Sequence, residues 1–279
     1  MQILFSEPYQ RWVALLLSLS QQAGAAIVDH YNSADAAQHS SKQDNSPLTQ
    51  ADLASHEILA AGLLPTGISL LSEESSESEL LHRGSWPRCW MVDPLDGTKE
   101  FLGRTGEFTI NIALIEAHRA ALGVIAVPLR QEVYMGVPGE GAWKWSASGW
   151  EAITTRALDP QRPLSVLTSR RHRGDVLQAY LTQLQAHPAG LEMAYSGSAL
   201  KFCTMAEGTG DVYPRFAPCS EWDTAAGEAL LQAAGGDLRT PEGGRFCYNQ
   251  RDSLLNGDFI AIADPQHSFW QSDERKPVS

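Results

Sequence analysis

Cysteine is scarce, with four in 279 residues (Cys89, Cys203, Cys219 and Cys247), and none forms a CxxC or another paired ligand spacing. That argues against a disulfide scaffold and a structural zinc site, and it makes reduced thiols in a cytosolic compartment the expectation. Basic charge is also short: 21 Lys and Arg stand against 33 Asp and Glu, a formal net charge of −12. Such a surface repels polyanions, so no nucleic-acid polymer is expected as a partner. A small anion held through metal ions and a local basic rim stays open. Long apolar runs are missing. Val13 to Leu19 is too short to span a bilayer, and its flanks, with Glu7 and only Arg11, are wrong for a signal peptide. Peripheral contact with an inner-membrane surface needs no span and stays open. The chain has no GxxxxGK[ST], no GxGxxG after a strand, no GxSxG and no HExxH; His56-Glu57 lacks its second histidine.

What is present is an ordinary globular composition, 43% hydrophobic and 19% charged, with enough apolar material for a large core. Val13, Leu16, Leu17, Ile27, Val28 and Tyr31 predict an amphipathic first helix. Residues 32–45 read as a polar loop and 51–63 as a second helix entered at Thr49. Short strands are predicted at 68–72 and 89–92. Phe108, Ile110, Ile112 and Leu114 alternate with small or polar neighbours, as in a half-buried strand. Residues 122–127, 132–137 and 142–145 continue it as an antiparallel meander. After Pro160 the pattern alternates: strands at 164–168, 211–215 and 259–263, helices at 175–185, 198–206 and 224–234. This predicts two layered αβ halves, 1–160 and 161–279, sharing one cleft, with a frayed tail after Asp264.

The segment Asp93-Pro94-Leu95-Asp96-Gly97-Thr98-Lys99-Glu100-Phe101 follows an apolar strand directly. Pro94 fixes a dihedral and Gly97 permits a tight turn. Two carboxylates three positions apart on such a turn can converge, with the Leu95 carbonyl beside them, on a hard cation such as Mg²⁺. Thr98 and Lys99 would then open a helical turn whose N–H groups face an anion. An equally physical reading makes Asp96 a helix cap. Three further acids occupy similar positions: Glu73 at a strand end, Asp223 at the mouth of an apolar helix, and Asp52 in Thr49-Gln50-Ala51-Asp52. Each also has a plain role, as a solvated strand end, an N-cap, and the acidic member of a capping box respectively.

The motifs Leu71-Ser72-Glu73-Glu74, Asp93-Pro94-Leu95-Asp96-Gly97-Thr98 and Trp222-Asp223-Thr224-Ala225-Ala226-Gly227 resemble those of the inositol-monophosphatase superfamily of Mg²⁺-dependent, lithium-sensitive phosphatases. Residues 42–52, Gly106-Glu107-Phe108-Thr109-Ile110-Asn111, Gly197-Ser198-Ala199-Leu200-Lys201-Phe202-Cys203 and Tyr213-Pro214-Arg215-Phe216 are similar to its 3′(2′),5′-bisphosphate nucleotidase branch. The resemblance runs from the first helix to about Ala263. It implies an αβαβα sugar-phosphatase-like fold and two or three Mg²⁺ ions on Glu73, Asp93, the Leu95 carbonyl, Asp96 and Asp223. Asp52 and Thr98 would orient and deprotonate the attacking water, with no phosphoenzyme.

The implied substrate is a small phosphorylated nucleotide, adenosine 3′,5′-bisphosphate, hydrolysed to AMP and phosphate, with its sulfated analogue as a second substrate, in sulfur metabolism. Nucleotide contacts would fall on Gly97, Ser198, Lys201 and Arg215, and on Glu73, Leu95, Asp96, Thr98 and Asp223 around the phosphate. Ser198 reads equally as an N-cap, Lys201 as a solvated helix face and Arg215 as a surface ion pair. His172, Glu74, Lys42 and Lys99 are weaker candidates for the same site. The tryptophans read as packing residues. The competing functions are an inositol or sugar phosphatase with the same metal chemistry, and a noncatalytic nucleotide or phosphoinositide sensor that kept the pocket.

Overall fold

The computed structural model describes residues 4–33, 39–41, 47–170 and 174–271. Lys42, His172 and the segment 272–279 lie outside these residues.

The first layer is a pair of helices. α1 (Val13–Asn32) follows a 3₁₀ turn at Gln10–Trp12. Its buried line is Val13, Leu16, Leu19, Ala23 and Ile27. Leu17, Val28 and Tyr31, expected on that line, are half-buried. Steps of three and four residues at about 100° each keep 13, 16, 19, 23 and 27 on one side, whereas 17 and 28 fall to its edge; Tyr31 is in register with Val13 but sits in the last turn of the helix. The continuous helix Gln10–Asn32 spans 23 residues and is, by length and composition, long and apolar enough to cross a membrane. The short run Val13 to Leu19 understates it. Its apolar line is nonetheless packed inside the protein, with Leu16 and Ile27 fully buried.

Part of the expected loop after α1 is a hairpin, β1 (His39–Ser41) antiparallel to β2 (Pro47–Thr49). α2 (Gln50–Leu63) then starts at Thr49 in a capping box closed by Asp52.

The second layer is a seven-stranded sheet. β3 (Ser69–Ser72), followed by the short α3 (Glu77–Leu80), runs parallel to β4 (Arg88–Asp96). After the single turn of α4 (Thr98–Leu102) come β5 (Thr109–Glu116), β6 (Arg119–Val127), β7 (Glu132–Val137), β8 (Gly141–Ser146) and β9 (Gly149–Ile153). These five continue from β4 as the expected antiparallel meander, one strand longer than predicted. β5 is not half-buried: Ile110, Ile112 and Leu114 face α1 and α2, Ala113 and Ile115 face the opposite layer, and Thr109 and Asn111 are buried as well. Helices cover both faces, so the polar alternation marks a polar pocket and not solvent.

The remaining chain supplies three layers. β10 (Leu164–Thr168), α5 (Asp175–Leu184), β11 (Leu191–Tyr195), α6 (Leu200–Ala206), β12 (Val212–Arg215), β13 (Cys219–Ser220), α7 (Glu221–Ala233), β14 (Asp237–Arg239), β15 (Leu255–Asn256) and β16 (Phe259–Ile262) follow in order. The second sheet has the order β11-β10-β12-β16-β14, and β13 pairs with β15. β11 and β14, at its edges, are not among the predicted strands: β14 has a single apolar residue, Leu238, whereas in β11 the alternation of Leu191, Met193 and Tyr195 was passed over. Phe202, Tyr213, Phe259, Ala226 and Leu230 join Met91, Ile125 and Tyr134 in one core, so α6 and α7 lie between the two sheets. Tyr180 and Leu184 of α5 pack with Val166, Val212 and Ile262 on the outer face of the second sheet. The result is the αβαβα layering. Residues after Asp264 are not frayed as far as 271: Phe269 is buried against this outer core and stacks edge-on with Trp270.

Candidate active site

α7 sits unusually close to the large sheet. A Cβ on Gly123 of β6 would lie 2.3 Å from the Ala226 carbonyl oxygen and 2.9 Å from the Ala229 Cβ. Glycine on the strand and alanine on the helix therefore set how near α7 approaches, and with it where its first turn points. Asp223 occupies the third position of that turn, closing a capping box in which its Oδ2 accepts the Ser220 N–H at 3.1 Å. The cap and the site are compatible, because a carboxylate has a second oxygen.

β4 runs on through Pro94, with a register break against β5 between Asp93 and Asp96. The break turns both carboxylates to one end of the sheet. Asp93 Oδ1 accepts the Leu95 N–H at 3.0 Å, which fixes the turn locally. Gly97 follows with φ +94°, a conformation that opens α4 and that a side chain would strain. Gly97, not Asp96, caps α4. Asp96 Oδ2 instead accepts from the Ala199 N–H at 2.7 Å, Asn111 Nδ2 at 3.2 Å and Thr109 Oγ1 at 3.4 Å. Thr109 and Asn111 belong to the segment that resembles the nucleotidase branch, but their contact with Asp96 is made only in the fold. The turn is also held from α2, where Ser55 Oγ donates to the Pro94 carbonyl at 2.7 Å.

These arrangements bring one carboxylate oxygen each of Asp93, Asp96 and Asp223 within 4.8 Å of one another. Glu73 joins them because β3 is parallel to β4: its N–H donates to the Val92 carbonyl at 3.0 Å, and its carboxyl hydrogen-bonds Asp93. Asp93 is fully buried, while Asp96 and Asp223 keep some exposure at the floor of a cleft. Removal from water raises Asp93 well above the ordinary carboxylate range, with repulsion from Glu73, Asp96 and Asp223 adding to it. Asp223 is pushed up to about 7, first by burial and then by Asp96. Asp96 is raised by burial despite the opposing pull of Lys201 and Asn111. Burial is the larger cause at Asp93 and Asp223, and repulsion between the carboxylates adds to it. Clustered carboxylates of this kind form a hard, all-oxygen donor set suited to a divalent cation.

Asp52 and Thr98 meet across α2 and α4, with Thr98 Oγ1 donating at 3.3 Å to Asp52 Oδ1 and lying 3.3 Å from the Leu95 carbonyl. Asp52 Oδ2 serves the capping box, accepting the Thr49 N–H at 2.7 Å and the Thr49 hydroxyl.

The rest of the cleft, about 140 Å³, is lined from both sheets, by Asp96, Gly97 and Glu100 on one side and by Ser198, Lys201, Arg215 and Asp223 on the other. Lys201 is not on a solvated helix face. It is buried, donates from Nζ to the carbonyls of Ser196 at 3.0 Å and Ser198 at 2.7 Å, and stands over the Tyr213 ring at 4.9 Å. Burial pushes its ammonium down to about 8, with Asp96 opposing the shift. Ser198 is no N-cap either: α6 begins at Leu200, and Ser198 has φ +45° with a buried Oγ that has no partner among the described residues. Strain and an unsatisfied hydroxyl at one residue mark a position shaped for something other than stability. Among the described residues Arg215 makes no surface ion pair. It is half-buried and donates to the carbonyls of Pro218 at 3.1 Å and Ala217 at 3.4 Å. Lys99 is exposed, and Glu74 is half-buried beside Ser72, whose hydroxyl accepts its N–H at 3.3 Å.

The inositol monophosphatase family matches residues 9–268. The chain belongs to this family. Within it, the chain is 44% identical over 243 residues to the 3′(2′),5′-bisphosphate nucleotidase CysQ of Salmonella typhimurium, covering 86% of this chain and 95% of that protein. It is 39% identical over 259 residues to the CysQ of Buchnera aphidicola, covering 91% and 95%. The crystal structure of CysQ from Bacteroides thetaiotaomicron, described as a bacterial member of the inositol monophosphatase family, superposes with a TM-score of 0.81 at 36% identity, covering 92% of this chain and 99% of that one. SuhB from Bartonella henselae shares the fold, with a TM-score of 0.75 at 23% identity and coverage of 94% and 96%. The acidic cluster is thus carried on a metal-dependent phosphatase fold.

Proposed function

We propose that this protein is a Mg²⁺-dependent 3′(2′),5′-bisphosphate nucleotidase that removes the 3′-phosphate of adenosine 3′,5′-bisphosphate to give AMP and phosphate. The sulfated analogue is a second substrate. The observation that carries this reading is the placement of Lys201 and Arg215 in the same cleft as Asp96 and Asp223. One end suits a cation-bridged phosphate, and the other offers positive charge to a second anionic group. Similarity to named nucleotidases over most of the chain points the same way.

Glu73, Asp93, the Leu95 carbonyl, Asp96 and Asp223 are the groups to hold two or three Mg²⁺ ions. Bound there, Mg²⁺ would supply the charge that draws a phosphate dianion into an acidic protein and the Lewis acidity for in-line phosphoryl transfer to water. Thr98 Oγ1, anchored by Asp52, orients the attacking water, and Asp52 Oδ1 takes up its proton through that contact. Ser198 and Lys201 line the part of the cleft where the remote phosphate would bind. No protein nucleophile is required, so phosphate passes to water without a phosphoenzyme. The four cysteines are free, three of them buried, which accords with a reducing, cytoplasmic setting.

Phosphate release from adenosine 3′,5′-bisphosphate and from inositol 1-phosphate, each titrated with Mg²⁺, tests the reading. Preference for the nucleotide supports it. Preference for the polyol phosphate assigns the site to a sugar phosphatase, and tight nucleotide binding without turnover assigns it to a sensor.

A further inference from the structure

Glu107 has no role in the chemistry above, yet it joins three separate segments at the cleft. It lies just before β5. Its carboxylate takes both arms of Arg170, Nη1 at 2.5 Å and Nη2 at 2.8 Å, from the loop after β10. Oε2 also accepts the Gly197 N–H at 2.9 Å, from the turn after β11. The Arg170 guanidinium beside it holds the Glu107 carboxyl below its ordinary range.

The turn 196–199 is pinned at both ends. On the near side, the Ala199 N–H donates to Asp96 in the acidic cluster. On the far side, the Gly197 N–H donates to Glu107. Lys201 ties the carbonyls of Ser196 and Ser198 between them. Ser198 sits at the centre in a left-handed conformation that the chain adopts only under restraint. Space at this point is also closed: a Cβ on Gly197 would meet the Glu107 carbonyl oxygen at 2.8 Å. Because Glu107 occupies both arms of Arg170, Arg170 is neutralised and does not compete with Lys201 and Arg215 for an anion.

We propose that Glu107 is a positioning residue for the nucleotide end of the substrate. Through Gly197 and Arg170 it holds Ser198 and Lys201 where the part of the substrate remote from the scissile phosphate binds. The acidic cluster holds its own side of the turn through Asp96 and does not depend on Glu107. The inference rests on the nucleotidase reading.

The test uses the full-length protein with saturating Mg²⁺. KM and kcat are measured for adenosine 3′,5′-bisphosphate, together with the inhibition constants of AMP, which needs the nucleotide end, and of inorganic phosphate, which needs only the acidic cluster. For Glu107→Ala, KM and the AMP constant are expected to rise about tenfold, while kcat and the phosphate constant stay within about twofold. Glu107→Gln keeps an acceptor for Gly197 and is expected to recover part of the loss. Arg170→Ala is expected to add little on top of Glu107→Ala. A parallel change in the phosphate constant and kcat, or an unchanged KM, overturns the proposal. If Glu107→Ala does not fold, Glu107→Gln carries the same comparison. A wild-type protein that fails to hydrolyse the nucleotide overturns the nucleotidase reading itself, a result distinct from any variant effect.

Discussion

Thr98 and Asp52, 46 residues apart in the chain, are joined by a 3.3 Å hydrogen bond that uses only one oxygen of the carboxylate. The other oxygen closes the α2 capping box with Thr49. The capping role of Asp52 and the catalytic role proposed for it therefore use different oxygens of one carboxylate. Substitutions can separate them. Asp52→Asn keeps an oxygen for the Thr49 N–H and removes the proton acceptor, so kcat is expected to fall by about 10²–10⁴ with little change in stability. Asp52→Ala is expected to lose the same activity and, in addition, about 1 kcal/mol of stability with the cap. Thr98→Ser should retain far more activity than Thr98→Val. Steady-state kinetics beside urea unfolding checks all four.

The acidic cluster makes stability depend on pH in a direction opposite to that of a paired carboxylate. Asp223 ionises near its ordinary value of 3.8 once unfolded, but near about 7 in the fold. Between those values the folded protein holds the extra proton, so the metal-free protein loses stability as pH rises through that window. A Tm lower by several degrees at about pH 7.5 than at about pH 5 is expected in chelator. Added Mg²⁺ should remove the difference, since a bound cation stabilises the ionised carboxylates. Thermal unfolding across pH, with and without Mg²⁺, is the measurement.

Gly123 sets the distance between α7 and the sheet, so even one methyl group there must displace backbone. Gly123→Ala is expected to cost about 1–3 kcal/mol of stability. Asp223 rides on the displaced helix, so the variant should also need more Mg²⁺ for half-maximal activity. Activity that survives with unchanged Mg²⁺ dependence would show that α7 does not position the site.

The layered fold was legible because its central elements are strongly patterned. β5, β6 and β7 read as strands, and α7 as a helix. What escaped the sequence was set by tertiary neighbours. β14 is a three-residue edge strand with one apolar residue, and β5 is buried on both faces only because helices from distant segments cover it. β11, by contrast, carries an alternation at Leu191, Met193 and Tyr195 that was passed over. In the site, Asp93 and Asp96 stood out as a local motif. Glu107 and Asn111 were visible only as part of the segment resembling the nucleotidase branch, because their partners (Arg170 and Gly197 for one, Asp96 for the other) lie 15 or more residues away and are met only in the fold. Lys201 was visible as a cation, but its burial against two carbonyls of its own turn was not.

Calorimetric titration of Mg²⁺ into the chelator-treated protein at about pH 6.5, in two buffers of different ionisation enthalpy, tests most directly whether the clustered carboxylates are a metal centre. Binding that releases protons, and that is lost or weakened at least tenfold by Asp96→Asn and by Asp223→Asn, is the result expected. Absence of binding, or binding left intact by both substitutions, would contradict the account.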